Sequence, residues 1–313
     1  MENSREVPVL VLIFNRKEIS VQAMQPIRAY KPHRLYIAAD GPRASKSGEK
    51  DKCEQTRKAV LECVDWPCDV HTLFRDENLG CADAVNSAVS WFFEHEEFGI
   101  VCEDDIVFGQ DFFRLCEELG ERYRNDDRIM SINSQFIGDR TKSGIKESYV
   151  FSSVPTSWGW ASWRRAWAKM DMSMNLYPSV PFRRYVKAYG LFRAFFMKYY
   201  YWRHDYRLIS SGGSISSWAT RWCFNVLAHN GLAIVPTYNL SLNEGFTGTD
   251  GAHYTVDDDN LYDYVKMESL PVALVHPEKV EADKRLRVIE SRDFLRIRIY
   301  GLLKKLRTYK LRR

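Results

Sequence analysis

Residues 99–108 read Gly-Ile-Val-Cys-Glu-Asp-Asp-Ile-Val-Phe, an apolar run that is interrupted by three adjacent acids. Three adjacent carboxylates do not fit inside a buried strand, because each unpaired buried charge costs several kcal/mol. At the end of a strand the same acids, Glu103, Asp104 and Asp105, can converge on a hard divalent cation, which prefers oxygen ligands. A cation with so few protein ligands completes its shell with water and phosphate oxygens. The run therefore predicts a site for a divalent metal and a phosphate-containing ligand.

The composition indicates a globular protein with a large core. Of the 313 residues, 45% are apolar and 14% aromatic. The sequence contains no apolar run of about 18 residues, the length of a membrane-spanning helix, and its first residues lack the basic-then-apolar pattern of a secretory signal. The seven cysteines show no paired spacing such as C-x-x-C, which favours reduced thiols over zinc ligands or disulfides. We therefore expect a cytoplasmic protein.

Strand-like and helix-like segments alternate through the first half of the chain. Strands are predicted at residues 7–14, 34–39, 69–74, 98–103 and 128–132, and helices at 16–29, 49–64, 78–97 and 110–123. Such alternation with short connections predicts an α/β fold, a mostly parallel sheet flanked by helices on both faces.

Polar residues follow four of the predicted strands, where ligands of such sheets bind. Besides the three acids, they are Asn15, Arg16, Asp40 and Arg75. Agreement among four strand ends is stronger evidence for a binding site than the acids alone. Arg16 is a candidate phosphate contact, and Asp40 could accept hydrogen bonds from a nucleobase or ribose.

The pattern changes after Gln135, but we find no linker or repeat. We therefore predict one domain over residues 1–280, with a ligand-binding half at 7–135 and a second half at 136–280, and a tail at 281–313. The segment Phe182–Leu208 interleaves 11 aromatic residues with basic ones. Core packing is the main interpretation of these aromatics, and membrane or acceptor contact is the alternative.

The formal net charge of +4 is unevenly distributed. Residues 284–313 hold 12 basic and 2 acidic side chains, net +10, whereas the rest of the chain holds 33 and 39, net −6. The acidic main domain argues against nucleic-acid binding. From residue 293 onwards, apolar residues recur at helical spacing: Leu295, Ile299, Leu302, Leu306 and Tyr309.

Basic amphipathic helices of this type lie on anionic membranes. The tail therefore predicts a peripheral position on the inner face of the cell membrane. Docking on the protein's own domain and a coiled-coil seam with a partner are the alternatives. The oligomeric state stays open.

A set of motifs along residues 7–256 resembles glycosyltransferases of the GT-A fold. The resemblance is to bacterial family-2-like and haemolytic-protein-like sugar transferases and, more distantly, to the N-acetylglucosaminyltransferase I group. The motifs are Leu12-Ile13-Phe14-Asn15-Arg16, Ala39-Asp40-Gly41, Asn78-Leu79-Gly80-Cys81, Glu103-Asp104-Asp105 with Asp111-Phe112-Phe113, Ser157-Trp158-Gly159-Trp160-Ala161-Ser162-Trp163, Ser217-Trp218, Gly245-Phe246 and Ala252-His253-Tyr254.

The resemblance implies an inverting, metal-dependent hexosyl or N-acetylhexosaminyl transfer from a nucleotide-sugar, with a UDP-sugar favoured. Asp105 would bind Mn²⁺ or Mg²⁺, with His253 as a second ligand. The donor-binding set would be Phe14, Asn15, Arg16, Asp40, Arg75, Asn78, Glu103 and Asp104. The acceptor and donor-sugar pocket would be Trp158, Gly159, Trp160 and Trp218.

The chain departs from the family pattern at Ala219, where an aspartate is expected as the general base. Inversion needs a carboxylate to take the proton of the acceptor hydroxyl, and alanine has none. Three explanations are open. An engineered substitution could have replaced the aspartate, another residue could supply the base, or the protein could bind donor without turnover. Glu244 is the main candidate for a substitute base.

Two function classes follow. The leading one is a glycosyltransferase that extends a bacterial surface polysaccharide on a glycan or lipid-linked acceptor. The rival, favoured by Ala219, is a catalytically silent protein that binds sugar nucleotides or serves as a scaffold at the membrane. A nucleotidyltransferase would also use carboxylates and a metal, and it would release pyrophosphate.

Overall fold

The first half of the chain alternates strands and helices as predicted. The computed structural model describes residues 6–136, 143–246 and 266–296. The strands are β1 (Val9–Ile13), β2 (Arg34–Ala39), β3 (Asp69–Phe74), β4 (Phe98–Glu103), β5 (Ile106–Phe108) and β6 (Ile129–Asn133). The helices are α1 (Lys17–Tyr30), α2 (Glu49–Glu62), α3 (Cys81–His95) and α4 (Gln110–Arg122).

The second half supplies four further strands and a group of mostly short helices. The strands are β7 (Tyr149–Ser152), β8 (Trp160–Trp163), β9 (Leu232–Pro236) and β10 (Ser241–Asn243). The helices are α5 (Arg164–Trp167), α6 (Phe182–Tyr189), α7 (Leu191–Phe196), α8 (Trp202–Ser210), α9 (Trp218–Ala228) and α10 (284–296). Single turns of 3₁₀ helix lie at Tyr177–Ser179 and Glu244–Phe246, and a π-helical turn at Met197–Tyr201 joins α7 to α8.

Eight strands form one sheet in the order β3-β2-β1-β4-β8-β6-β9-β7. The neighbours β3, β2, β1 and β4 are parallel, as are β6 and β9, whereas β8 and β7 run antiparallel to their neighbours. Helix α1 packs against α2 and α4, and α3 packs against α5 and α9, as right-handed crossovers on opposite faces require. The predicted α/β class is confirmed.

The strand order creates a switch point between β1 and β4. The chain leaves β1 to form β2 and β3 on one side, then returns to form β4 on the other side. Leu12 is the register partner of Glu103, so these two strands end side by side. In open α/β sheets, the crevice at such a switch point is where ligands bind.

A small second sheet brings a distant segment to the same place. Strands β5 and β10 pair antiparallel, with Ile106 opposite Asn243 and Phe108 opposite Ser241. Because β5 begins directly after the three acids, this pairing holds residues 243–245 beside them. Three-residue strands so far apart in sequence leave no periodic signal, and the pairing was not predicted.

Three hydrophobic clusters stabilise the fold, the smallest of which joins β7, β9 and α10 through Val150, Val235 and Leu286. The main cluster covers both faces of the sheet, and the second lies among α6, α7, α8 and α9. Tyr185, Tyr189 and Trp202 of the aromatic segment are buried in the second cluster, so the core interpretation holds for these three residues. None of the described helices has the length and apolar character needed to span a membrane. All seven cysteines fall within the described residues and are free.

Candidate functional site

A cleft of about 1180 Å³ opens at the carboxyl ends of β1, β2 and β4. All eight residues predicted to bind the donor line it, together with Asp105. These residues come from four separate strand ends and the turn before α3, as the alternating pattern predicted. The structure therefore brings the predicted set together; their roles toward a ligand stay predictions.

Arg16 joins the acids across the switch point. Its Nε lies 3.1 Å from Asp104 Oδ2 and its Nη2 lies 3.0 Å from Asp105 Oδ2, and Nη2 also bonds Asp104 Oδ1. Burial disfavours the charged guanidinium, but the two aspartates outweigh burial and raise the Arg16 pKa above its ordinary value. Arg16 thus ties the end of β1 to the end of β4.

One guanidinium does not balance three carboxylates. Burial, with a smaller contribution from the charges of Asp105 and Asp104, raises the pKa of Glu103 to about 8. Burial also raises the pKa of Asp104, despite its bonds to Arg16. Three ionised carboxylates are therefore disfavoured here unless a further cation is present, and their hard oxygen donors fit Mn²⁺ or Mg²⁺.

The described residues do not hold three His, Cys, Asp or Glu side chains grouped as a complete metal site. A partial protein shell is what a metal completed by phosphate oxygens and water would use. His253, the predicted second ligand, lies outside the described residues.

The carboxylate of Asp40 binds donors of the protein itself, whereas the sequence predicted hydrogen bonds with a nucleobase or ribose. Its Oδ1 accepts the backbone N–H groups of Gly41 and Leu79, both at 2.9 Å, and its Oδ2 accepts Asn78 Nδ2 at 2.9 Å and the Gly80 N–H at 3.1 Å. Four donors fill the lone pairs of one carboxylate. Asp40 and Asn78 therefore hold the turn before α3, and this turn replaces the predicted helical start at residue 78.

Glu49 is a cleft residue that the sequence interpretation missed. It is buried at the start of α2, where it accepts Asn15 Nδ2 at 3.0 Å and Arg43 Nε at 2.9 Å. The hydrogen bond from Arg43 outweighs burial and lowers the Glu49 pKa to about 2. Arg43 in turn lies over the ring of Phe14, 5.5 Å from its centroid. A glutamate in the first turn of a helix usually faces solvent, so nothing in the sequence distinguishes it.

Six cations line the cleft: Arg16, Lys17, Arg43, Lys46 and Lys52 near α1 and α2, and Arg75 directly after β3. Six acids line it as well, namely Glu18, Asp40, Glu49, Glu103, Asp104 and Asp105. Arg75 Nη2 donates to Ser87 Oγ at 2.8 Å, and burial lowers its pKa below the ordinary value. A cleft lined by both cations and carboxylates is suited to a diphosphate bridged to a metal.

The turn at residues 244–246 is in close contact with Asp105. The Glu244 N–H donates to the Asp105 carbonyl at 2.8 Å, and a Cβ on Gly245 would lie only 2.6 Å from Asp105 Oδ2. The segment therefore lies against Asp105, although Glu244 is not among the residues that line the cleft. The role of Glu244 as a base stays a prediction.

The predicted pocket tryptophans lie in the core, which corrects that assignment for two of them. Trp160 is fully buried and Trp218 is 3% exposed, with their ring centroids 5.5 Å apart. Gly159 has φ of +78° and approaches the ring of Phe108 so closely that a Cβ would lie 2.3 Å from it. Only Trp158 of this set is half-buried. An aromatic motif does not by itself distinguish a pocket from a core.

Ala219 lies half-buried in the first turn of α9 and packs against the main cluster. Ser217 caps this helix, accepting the Thr220 N–H at 3.4 Å. Within the described residues, the cleft is not lined by Ala219 or Glu244. The three acids line the cleft, and the two candidate positions for a base lie outside its lining.

No protein-family model matches the chain, and no curated protein matches it. Among solved structures, mannosyltransferase PcManGT from Pyrobaculum calidifontis, in complex with GDP-Man and Mn²⁺, is 13% identical, with 71% of this chain and 85% of that chain covered and a TM-score of 0.39. HddC from Yersinia pseudotuberculosis is 11% identical over 51% and 77% of the two chains, with a TM-score of 0.31. At these identities and scores the similarity decides neither fold family nor function, and the α/β class rests on this chain's own sheet.

Replacing Arg16 with alanine is expected to lower the free energy of unfolding by about 2–4 kcal/mol, because buried Asp104 loses its cation. Chemical denaturation measures the loss. The double variant Arg16→Ala with Asp104→Asn should recover most of it, since the unpaired charge is gone. Arg28→Ala breaks the exposed pair with Asp65 and should change stability little. Equal losses in the two single variants would contradict the structural role of Arg16.

Proposed function

We propose that this protein is a metal-dependent glycosyltransferase that uses a nucleotide-diphospho-sugar, with a UDP-sugar favoured. The observation that carries the proposal is the bonding of Arg16 to Asp104 and Asp105, next to Glu103, at the switch point of a cleft that is also lined by lysines and arginines. Switch-point crevices bind ligands, and clustered carboxylates are suited to a divalent cation.

The roles we propose follow the cleft from wall to end. Arg16 and Arg75 would contact the diphosphate, with Lys17, Lys46 and Lys52 supplying further positive charge. Asp105 would hold Mn²⁺ or Mg²⁺, with Glu103 and Asp104 near the sugar and ribose. Such a cation supplies charge neutralisation for a departing diphosphate. Asp40 and Glu49 position the surrounding loops through the bonds described above.

The acceptor side is proposed on fewer contacts. Glu244 follows β10 and bonds Asp105 through its backbone, which supports it as the group that takes the acceptor's proton. Trp158, half-buried beside Gly159, is the remaining aromatic candidate for acceptor contact. A glycan or lipid-linked acceptor of a bacterial surface polysaccharide stays the proposed substrate, and His253 the proposed second metal ligand.

A second candidate function is a sugar-nucleotide-binding protein without turnover. Ala219 favours it, since the expected carboxylate is missing from the first turn of α9. Both candidates predict donor binding to the cleft, so only turnover separates them.

The test is a thermal-shift panel of nucleotide-sugars, with and without Mn²⁺, on the wild-type chain and the Asp105→Ala variant. Saturating donor at about one hundred times Kd adds about 2.7 kcal/mol of stability, which raises the Tm by about 4 °C for a domain of this size. We expect that shift to require Mn²⁺ and to vanish in Asp105→Ala.

Asp127→Ala is the matched control, because this aspartate is 82% exposed and lies outside the cleft. It should retain the full metal-dependent shift. If no nucleotide-sugar stabilises the wild-type chain in a metal-dependent way, the proposal fails. Pyrophosphate release from a nucleoside triphosphate would replace it with nucleotidyl transfer.

A further inference from the structure

Five large apolar side chains are exposed together on α7 and the π-helical turn that follows it. Leu191 is 69% exposed, Phe192 72%, Phe195 63%, Tyr199 42% and Tyr200 69%. We call this set the aromatic face. Single exposed apolar residues are ordinary, but a contiguous cluster of this kind marks an interaction surface.

The rings of this region lie side by side. The centroids of Phe195 and Tyr199 are 5.0 Å apart, and Phe196 lies 5.0 Å from Tyr200 and 5.4 Å from Phe294 of α10. Helix α10 packs against α7 at this point, because the guanidinium of Arg193 lies over the ring of Phe294, 5.1 Å from its centroid. The aromatic face therefore rests on a packed base and is not a frayed end.

The surroundings of the aromatic face carry positive charge. Residues 182–204 contain six basic side chains and no acid. Arg184, Arg193 and Lys198 bond to the protein itself. The exposed cations of the segment are Arg183, Lys187 and Arg203, and Arg292 on α10 is also exposed.

We propose that the aromatic face inserts into the interface of an anionic phospholipid bilayer, with the surrounding cations on the headgroups. Phenylalanine and leucine suit the acyl boundary, and tyrosine keeps its hydroxyl at the headgroup level. The neighbouring acids Asp205, Glu290 and Asp293 are largely buried, so the exposed arginines and lysines suit anionic lipid better than a mixed-charge protein partner. The inference does not depend on the proposed function or on residues 297–313.

The test is co-sedimentation of the full chain with vesicles of phosphatidylcholine alone or mixed with phosphatidylglycerol. We expect binding to the anionic vesicles and weaker binding at raised ionic strength. The triple variant Phe192→Ser, Phe195→Ser and Tyr200→Ser should lower the partition coefficient on the order of tenfold or more. Its Tm and its metal-dependent stabilisation by donor should match wild type, which separates this test from that of the cleft.

The control variant, Leu61→Ser with Val272→Ser, removes two exposed apolar side chains elsewhere and should bind vesicles like wild type. Three outcomes overturn the proposal. In the first, the wild-type chain ignores anionic vesicles. In the second, the triple variant binds them unchanged, which assigns binding to another segment. In the third, sedimentation velocity shows that the wild-type chain is a dimer and the triple variant a monomer, which means that a second copy of the chain covers the aromatic face.

Discussion

Replacing Ala219 with aspartate is expected to raise the rate of sugar transfer by about two to four orders of magnitude if a substitution has removed the general base from this position. A positioned general base contributes about that much to a reaction that deprotonates its nucleophile. The position accepts the change, because Ala219 is half-buried and lies in the first turn of α9, where a negative charge is favourable. Radiolabelled donor and a panel of acceptors, or donor hydrolysis, measure the rate.

Ala219→Asn is the matched control, since asparagine has the shape of aspartate but takes no proton. It should stay at the wild-type rate. An unchanged rate in Ala219→Asp would contradict the explanation that a general base has been lost from position 219. Glu244→Gln then decides what remains: abolished turnover assigns the base to Glu244, and absent turnover throughout leaves the binding protein.

The sequence alone predicted the strands in the first half of the sheet, because the polar residues of the site stand directly after the strands and so mark where they end. Strands β2, β3 and β4 have the predicted bounds. Strands β2 and β4 are short, mostly apolar runs, whereas the edge strand β3 reads Asp-Val-His-Thr-Leu-Phe, and a polar residue or turn ends each of the three. The three acids cannot continue a buried strand, so Glu103 ends β4. The polar residues at these ends consequently meet in one cleft, as four agreeing strand ends predicted.

What the sequence could not reveal is how polar groups are shared inside the site. Asp40 was interpreted as a ligand contact, but four protein donors occupy its carboxylate. Glu49 was overlooked, because only the folded loop shows that Arg43 and Asn15 converge on it. Both cases depend on three-dimensional neighbours that no spacing rule encodes.

The same limit explains the second half. Strand β8 pairs antiparallel with both β4 and β6, which carries the motif around Trp160 into the middle of the sheet and not to a pocket wall. The pairing of β5 with β10 connects residues more than one hundred positions apart by three-residue strands. Yet that pairing places the backbone of Glu244 beside Asp105, so the least predictable contact links the second half of the chain to the acids.

Replacing Trp160 with alanine is expected to lower the free energy of unfolding by about 3–5 kcal/mol, as large aromatic deletions in a close-packed core do. The Trp160 ring centroid lies 5.6 Å from Trp167, 5.5 Å from Trp218 and 5.9 Å from Trp222, so its removal leaves a cavity among three rings. Its Nε1 has no hydrogen-bond partner among the described residues, and the loss is therefore one of packing. Urea unfolding of both proteins measures it.

Trp158→Ala is the control, because this neighbouring side chain is only half-buried and its removal should cost about 1–2 kcal/mol. A donor-binding assay on folded protein separates core from pocket. If Trp160 belongs to the core, the folded fraction of Trp160→Ala binds donor with the wild-type Kd. If Trp160→Ala unfolds like wild type but loses donor affinity, Trp160 belongs to the sugar pocket and not to the core. The contacts with Trp218 would then have to open when donor binds.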